Sequence, residues 1–273
     1  PIVEMGLFMD GDGIPLAFSI FEGNKNEQQS LIPLEQQIIK DFAHSKFVVC
    51  TDAGLSSFQN RCFNNKANRA FITTQSIKKL KSYLKEWCLD THGWYAEGFN
   101  NDFDISSLQN DETLIEKYKN TIFFKERWIN ENGLEQKLIV TFSLKYKFYQ
   151  QNIRKSQVDR AKQIIANGPS KLKSNNPNDC KRFITKTSIT PDGEIAKKTN
   201  LSLNEDRIEN EAKYDGFYAV CTNLDESACR IADINRNRWE IEECFRIMKT
   251  DFEARPVYLQ NDERIKAHFM TCF

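Results

Sequence analysis

Histidine is scarce, at His44, His92 and His268, and none of the eight cysteines forms a C-x-x-C pair. That spacing excludes the usual structural zinc sites and leaves reduced, mostly buried thiols, as in a cytoplasmic protein. No apolar run approaches the ~20 residues that a membrane-spanning helix needs, and no signal-peptide pattern is visible. Net charge is missing too: 38 basic residues balance 38 acidic ones. Internal repeats and low-complexity segments are absent. What remains is ordinary, with 40% hydrophobic and 28% charged residues over 273 positions. That length holds one large domain or two smaller ones with a real core. The first residue is Pro1, and the sequence stops at Phe273 inside the apolar run from His268. A fragment of a longer protein is therefore expected.

The zero net charge hides an uneven distribution. From Lys137 to Lys186 there are twelve basic residues, opposed only by Asp159 and Asp179. Lys145, Lys147, Arg154 and Lys155 lie in this window, interleaved with Tyr146, Phe148 and Tyr149. Such a block is the electrostatic footprint of a phosphate-backbone partner, or else a solvated basic face.

The opening residues read as a hairpin, Ile2–Met9 and Ile14–Phe21, around the turn Asp10-Gly11-Asp12-Gly13. A helix follows over Glu27–Phe42, with Leu31, Leu34, Ile38, Ile39 and Phe42 facing inward. Lys46–Asp52 reads as a short strand buried on both faces. It ends at Asp52, a carboxylate at the C-terminal tip of a strand, where open α/β sheets bind ligands. As a lone aspartate before Ala53-Gly54, it is equally a turn former or helix cap. Another short helix and the strand Ala70–Thr74 complete a β-β-α-β-α-β pattern, a mixed sheet with helices packed on it.

From Lys78 to Tyr214 the character changes. An irregular stretch over residues 86–118 precedes a second hairpin, Thr121–Ile129 and Lys137–Phe142. Then come a helix over Lys147–Ala166, a polar loop and a third hairpin on Pro191-Asp192-Gly193. Gly216–Cys221 is the last strand, and Asn223 or Ser227 caps a long helix after it. On that helix Arg238, Glu242 and Lys249 fall within an arc of roughly 40°. Ile231, Ile234, Ile241, Phe245, Met248 and Phe252 form the apolar stripe beside it. A carboxylate bordered by cations suits a metal ion next to a polyanion.

Arg238, Glu242 and Lys249 match the spacing Arg-x3-Glu-x6-Lys, with Asn235 where a tyrosine would complete the signature Tyr-x2-Arg-x3-Glu-x6-Lys. With Gly6–Asp10, Gly13–Leu16, Phe21–Asn24, Asp52–Leu55, Tyr214–Tyr218 and Arg255–Tyr258 in order, the chain resembles the DDE transposases of bacterial insertion sequences, specifically the family-four-like group. The resemblance implies an α/β, RNase H-like catalytic core over residues 1–77 and 215–273. A largely β, basic insertion over 78–214 would interrupt it. It also implies Asp52 and Glu242 as the second and third acids of a triad, holding two Mg²⁺ (or Mn²⁺) ions. Arg238, Asn235 and Lys249 would contact phosphates of the transposon end. The partners would be double-stranded DNA and a second subunit in a homodimer, in the bacterial cytoplasm at the nucleoid.

The family's first aspartate lies on a central strand upstream of the opening hairpin, and that strand is missing here. Asp10 and Asp12 have turn-forming roles and do not replace it. The polypeptide alone is thus expected to be inactive and poorly soluble. Two other readings stay open: a non-catalytic DNA-binding remnant of a decayed transposase, and an RNase H-like nuclease.

Overall fold

The computed structural model describes residues 3–23, 26–42, 47–99, 102–109, 111–168, 178–189 and 195–273. The chain opens on β1 (Val3–Met9) and β2 (Pro15–Glu22). At their turn, Asp10 Oδ1 accepts from the N–H groups of Asp12 and Ile14 at 3.0 and 2.9 Å. Asp10 thus spends its carboxylate on its own turn. A 3-10 turn over Glu27–Gln29 leads into α1 (Leu31–Phe42), then β3 (Val48–Thr51), α2 (Phe58–Asn64) and β4 (Ala70–Thr74). Next come α3 (Ser82–Leu89), α4 (Glu112–Tyr118), β5 (Ile122–Glu131), β6 (Leu134–Ser143) and α5 (Leu144–Ala166). The described chain ends with β7 (Ile184–Ile189), β8 (Ile195–Leu203), α6 (Glu205–Ala212), β9 (Phe217–Thr222), α7 (Ala228–Arg236), α8 (Trp239–Thr250) and α9 (Asp262–Cys272).

A five-stranded mixed sheet has the order β3-β4-β9-β6-β5, while β1–β2 and β7–β8 each form a two-stranded sheet. The chain divides into two compact units. One gathers Pro1–Lys79, Glu126–Ile139 and Ala219–Phe273; the other gathers Leu80–Lys125 and Val140–Tyr218.

In the first unit β3 and β4 run parallel with Thr51 beside Thr73, and β9 runs antiparallel to β4 with Thr74 beside Val220. Ile72, Leu138 and Cys221 are fully buried there. The opening hairpin finds its apolar cover elsewhere in this unit. Val3, Met5, Phe18 and Ile20 pack against Met248, Ala254, Ile265 and Phe269. Gly13 (φ +81°) sits so close to α8 that a Cβ there would lie 2.4 Å from Glu240 Oε2. The positive φ favours glycine there, while the Glu240 carboxylate is a side-chain end that can swing aside.

Several local expectations change. β3 is an edge strand of its sheet, and Val48 is 43% exposed while Val49 and Thr51 are buried. An edge position removes the cover that one face and one side of a central strand would have. Phe42 lies at the end of α1 and is exposed rather than inward. The helix expected through Arg238 is interrupted: α7 stops at Arg236 and α8 starts at Trp239. Around the break, Arg238 N bonds Asn235 O, Glu240 N bonds Asn237 O and Ile241 N bonds Arg238 O. These three-residue bonds tighten the turn, and the asparagines here are poor residues for a helix interior. Phe252 lies beyond α8 and is exposed, so the apolar stripe ends at Met248. Ser227 is the cap of α7, whereas Asn223 accepts from Phe71 N and donates to Asn65 and Arg69.

In the second unit Trp94 is fully buried between Phe142 and Phe217, with ring centroids 6.1 and 5.8 Å away. Phe103 stacks on Phe123 at 4.8 Å. The stretch expected to be irregular contains the end of α3 and all of α4, and Lys125 closes the first of them. Its Nζ donates to Trp87 O and Asp90 O at 3.0 and 3.1 Å, and burial holds its pKa below the ordinary lysine range. A cation on the last carbonyls of a helix complements the helix dipole. The turn of the β7–β8 hairpin lies outside the described residues. All eight cysteines are free thiols.

Candidate active site

The C-terminal tip of the parallel pair β3–β4 carries the first candidate acid. Thr51 and Thr73 face each other and share a hydroxyl hydrogen bond of 2.9 Å. The next residue along β3 is Asp52, which is exposed; its main-chain oxygen accepts from Thr73 Oγ1 at 3.4 Å. Its Oδ1 accepts from Gly54 N at 2.8 Å and from Leu55 N at 3.1 Å. The turn-former reading of Asp52 is therefore correct as geometry. It does not exhaust the residue, because a carboxylate offers about four lone-pair sites. Gly54 leaves room that carboxylates use: a Cβ there would lie 3.1 Å from Asp52 Oδ1 and 3.5 Å from Glu27 Oε2. The sequence gives no signal for Glu27, which opens a 3-10 turn far from Asp52 along the chain.

The second contribution to this end of the sheet comes from the break before α8. Arg238 Nη1 donates to Thr74 Oγ1 at 2.7 Å, at the tip of β4. Its charge is also felt at Cys50, whose thiol is pushed up to about 11 by burial, with Arg238 acting in the opposite sense. Arg238 thus stands over the same strand ends as Asp52. Glu242, in the first turn of α8, is exposed; Glu240 and Glu242 there complement the positive end of the helix dipole. Lys249 occupies the last turn, exposed, with Nζ 5.7 Å from the Phe245 ring. Asn235 is half-buried near the end of α7, and its carbonyl accepts from Arg238 N.

The basic candidates of the second unit lie on α5. Lys145 and Lys155 are exposed, as are Arg160 and Lys162 further along. Lys147 is half-buried, its Cβ close to the position that a Cβ on Gly216 would take. Arg154 is engaged in a two-pronged pair with Asp215, Nη1 to Oδ1 at 2.6 Å and Nη2 to Oδ2, and this raises its pKa above the ordinary value. Lys137 Nζ bonds Asp225 Oδ1 and Glu226 O, both at 3.0 Å, and Arg182 pairs with Glu211. Three of the twelve basic residues in the window are thus matched by acids outside it. The cationic surface is narrower than the sequence count suggests.

Comparison with known families matches residues 3–273 to the transposase DDE domain. The chain belongs to the DDE transposases. No curated protein matches it. DDE transposases act on DNA and use divalent metal ions, and the five-stranded mixed sheet with flanking helices is consistent with their RNase H-like fold. Among the described residues no group of three or more His, Cys, Asp or Glu side chains is placed to hold a metal ion. The donors at the tip of β3 nonetheless suit a hard cation. They are exposed carboxylate oxygens that approach one glycine, Asp52 Oδ1 tightly and Glu27 Oε2 at ordinary contact distance from where its Cβ would stand. Mg²⁺ prefers such ligands and keeps several of its waters, so one or two carboxylates suffice. Among the described residues no helix is long and apolar enough to cross a membrane.

Proposed function

We propose that this chain is the catalytic domain of an insertion-sequence transposase of the group marked by the Tyr-Arg-Glu-Lys signature. It would carry out Mg²⁺- or Mn²⁺-dependent phosphodiester hydrolysis and strand transfer at the transposon ends. The observation that supports this most is Arg238 anchored on Thr74. It sets the start of α8 at the strand ends where Asp52 stands, with Glu242 one turn further on, in a chain matched over residues 3–273 to the transposase DDE domain.

In this reading residues 1–77 and 215–273 supply the RNase H-like core, and 78–214 the insertion. Asp52 and Glu242 are the metal ligands, held by the Asx turn and by the helix start. A pair of bound ions would supply an activated water or 3′-hydroxyl and would stabilise the leaving oxygen. The chain's own cations do the rest. Arg238, already fixed by one hydrogen bond, has further N–H groups with which to orient a phosphate. Lys249 supplies a point charge two turns beyond Glu242, and Asn235 an amide donor where the signature has tyrosine. Lys145, Lys147 and Lys155 follow the DNA backbone, and Arg154 stiffens α5 through Asp215. The partner is double-stranded DNA at the transposon ends and target, bound by a homodimer in the bacterial cytoplasm.

The test uses the transposase that carries this chain. Glu242→Gln should abolish cleavage of an end-bearing duplex while leaving binding to that duplex intact. Loss of binding instead would show that Glu242 holds structure rather than metal.

A further inference from the structure

Asn60 belongs to no signature and has no apparent chemistry in the sequence, yet it is only 3% exposed on α2. Its carboxamide Nδ2 makes two hydrogen bonds to main-chain carbonyls on separate segments. One goes to Leu55 O at 2.9 Å, the other to Gln28 O at 3.0 Å. Leu55 is the residue whose N–H, with that of Gly54, grips Asp52 Oδ1. Gln28 follows Glu27, whose carboxylate faces Gly54. α2 itself is fixed from its first turn, because Ser57 Oγ accepts from Asn60 N at 3.2 Å.

We propose that Asn60 is a positioning residue for Asp52. This rests on the reading of Asp52 as a metal ligand. Both amide hydrogens of Asn60 are spent on closing the turn that aims the carboxylate, and on tying that turn to the segment bearing Glu27. The amide bridges the two segments whose carboxylates approach Gly54. Both carbonyls would lose a donor if the amide were removed, and the turn could then open without breaking the strand behind it. Residues that hold metal ligands typically change metal affinity by roughly 10–100-fold when they are removed.

The experiment compares wild type, Asn60→Ala, Asp52→Asn and Asn64→Ala. Asn64 is a buried asparagine on the same helix that bonds Glu35 and, one turn back, the main-chain oxygen of Asn60, but not the Asp52 turn. Mn²⁺ binding is followed by electron paramagnetic resonance, and amide exchange at Gly54 and Leu55 by NMR. Asn60→Ala should weaken Mn²⁺ binding roughly 10-fold and speed exchange of those two amides. Asn64→Ala should leave both near wild type despite its own loss of stability. If Asn60→Ala does not fold, Asn60→Ser replaces it, its single shorter donor giving the same changes in smaller measure. Wild-type Mn²⁺ binding in the Asn60 variant, with binding lost in Asp52→Asn, overturns the positioning role and leaves the metal reading intact. Wild-type binding in Asp52→Asn overturns the metal reading, and this inference with it. Equal losses in the Asn60 and Asn64 variants would reduce Asn60 to a structural residue.

Discussion

Glu35 offers the sharpest quantitative test of the fold, because a fully buried carboxyl on α1 has to choose between charge and burial. Asn64 Nδ2 reaches both of its oxygens, at 2.9 and 3.0 Å. Burial dominates and raises the pKa from 4.5 to about 7, against the smaller opposing effects of Asn64 and Arg69. The folded state therefore holds this proton more tightly than the unfolded chain does. The contribution of Glu35 is most favourable below the unfolded value of 4.5 and worsens as pH rises through about 7, where the folded group ionises. A rise of that size corresponds to roughly 3 kcal/mol. Glu35→Gln keeps the shape and cannot ionise, and its remaining amide oxygen can still accept from Asn64 Nδ2. The variant should thus gain stability on wild type between pH 5 and pH 8, by up to about 3 kcal/mol, or roughly 6–12 °C in Tm. Urea or thermal unfolding at several pH values reads this directly. A wild-type-minus-variant difference that stays flat across that range would refute the assignment of a buried, reluctantly charged Glu35.

Two further perturbations probe the site's frame and its surroundings. Gly13→Ala should destabilise the first unit by about 1 kcal/mol, the cost of an unfavourable positive φ, because the atom nearest its Cβ, Glu240 Oε2 at 2.4 Å, is the end of a flexible side chain that can swing aside. Adding Glu240→Ala should therefore recover little of that loss, a near-additivity that a double-mutant cycle by chemical denaturation measures. On α5, neutralising Lys145 and Lys155 together should reduce the slope of log binding constant against log salt by about 2, with stability unchanged. Arg154→Ala should instead lower the unfolding midpoint, since it strands the buried Asp215.

What the sequence made legible was periodic or chemically loud. The turn at Asp10–Gly13 and the inward face of α1 at Leu31, Leu34 and Ile38 could both be read from residue type and spacing. The acid–cation register of Glu242 and Lys249 could be read the same way. The interruption at Asn237 and Arg238 escaped, because the apolar stripe runs straight through it: Ile234 and Ile241 keep helical spacing while the backbone between them does not. Arg154 and Lys137 looked like free cations because their partners, Asp215 and Asp225, lie 61 and 88 positions away. Asn60 and Glu27 were invisible for a related reason. What they do depends on main-chain carbonyls and a glycine brought near by the fold, and such partners leave no mark on local composition.

The pin between Arg238 and Thr74 has a mechanical consequence. α8 extends from that pin as a rod, with Glu242 about 6 Å along it and Lys249 about 16 Å along it, at 1.5 Å per residue. The far end of the rod is held as well, because Met248, beside Lys249, is buried with Ala254, Ile265 and Phe269 in the cluster that the opening hairpin covers. With both ends fixed, α8 behaves as a strut rather than a lever. The offset between the Glu242 and Lys249 backbones, about 10 Å along the axis, is therefore set by the helix, and any adjustment of the charge is left to the flexible lysine side chain.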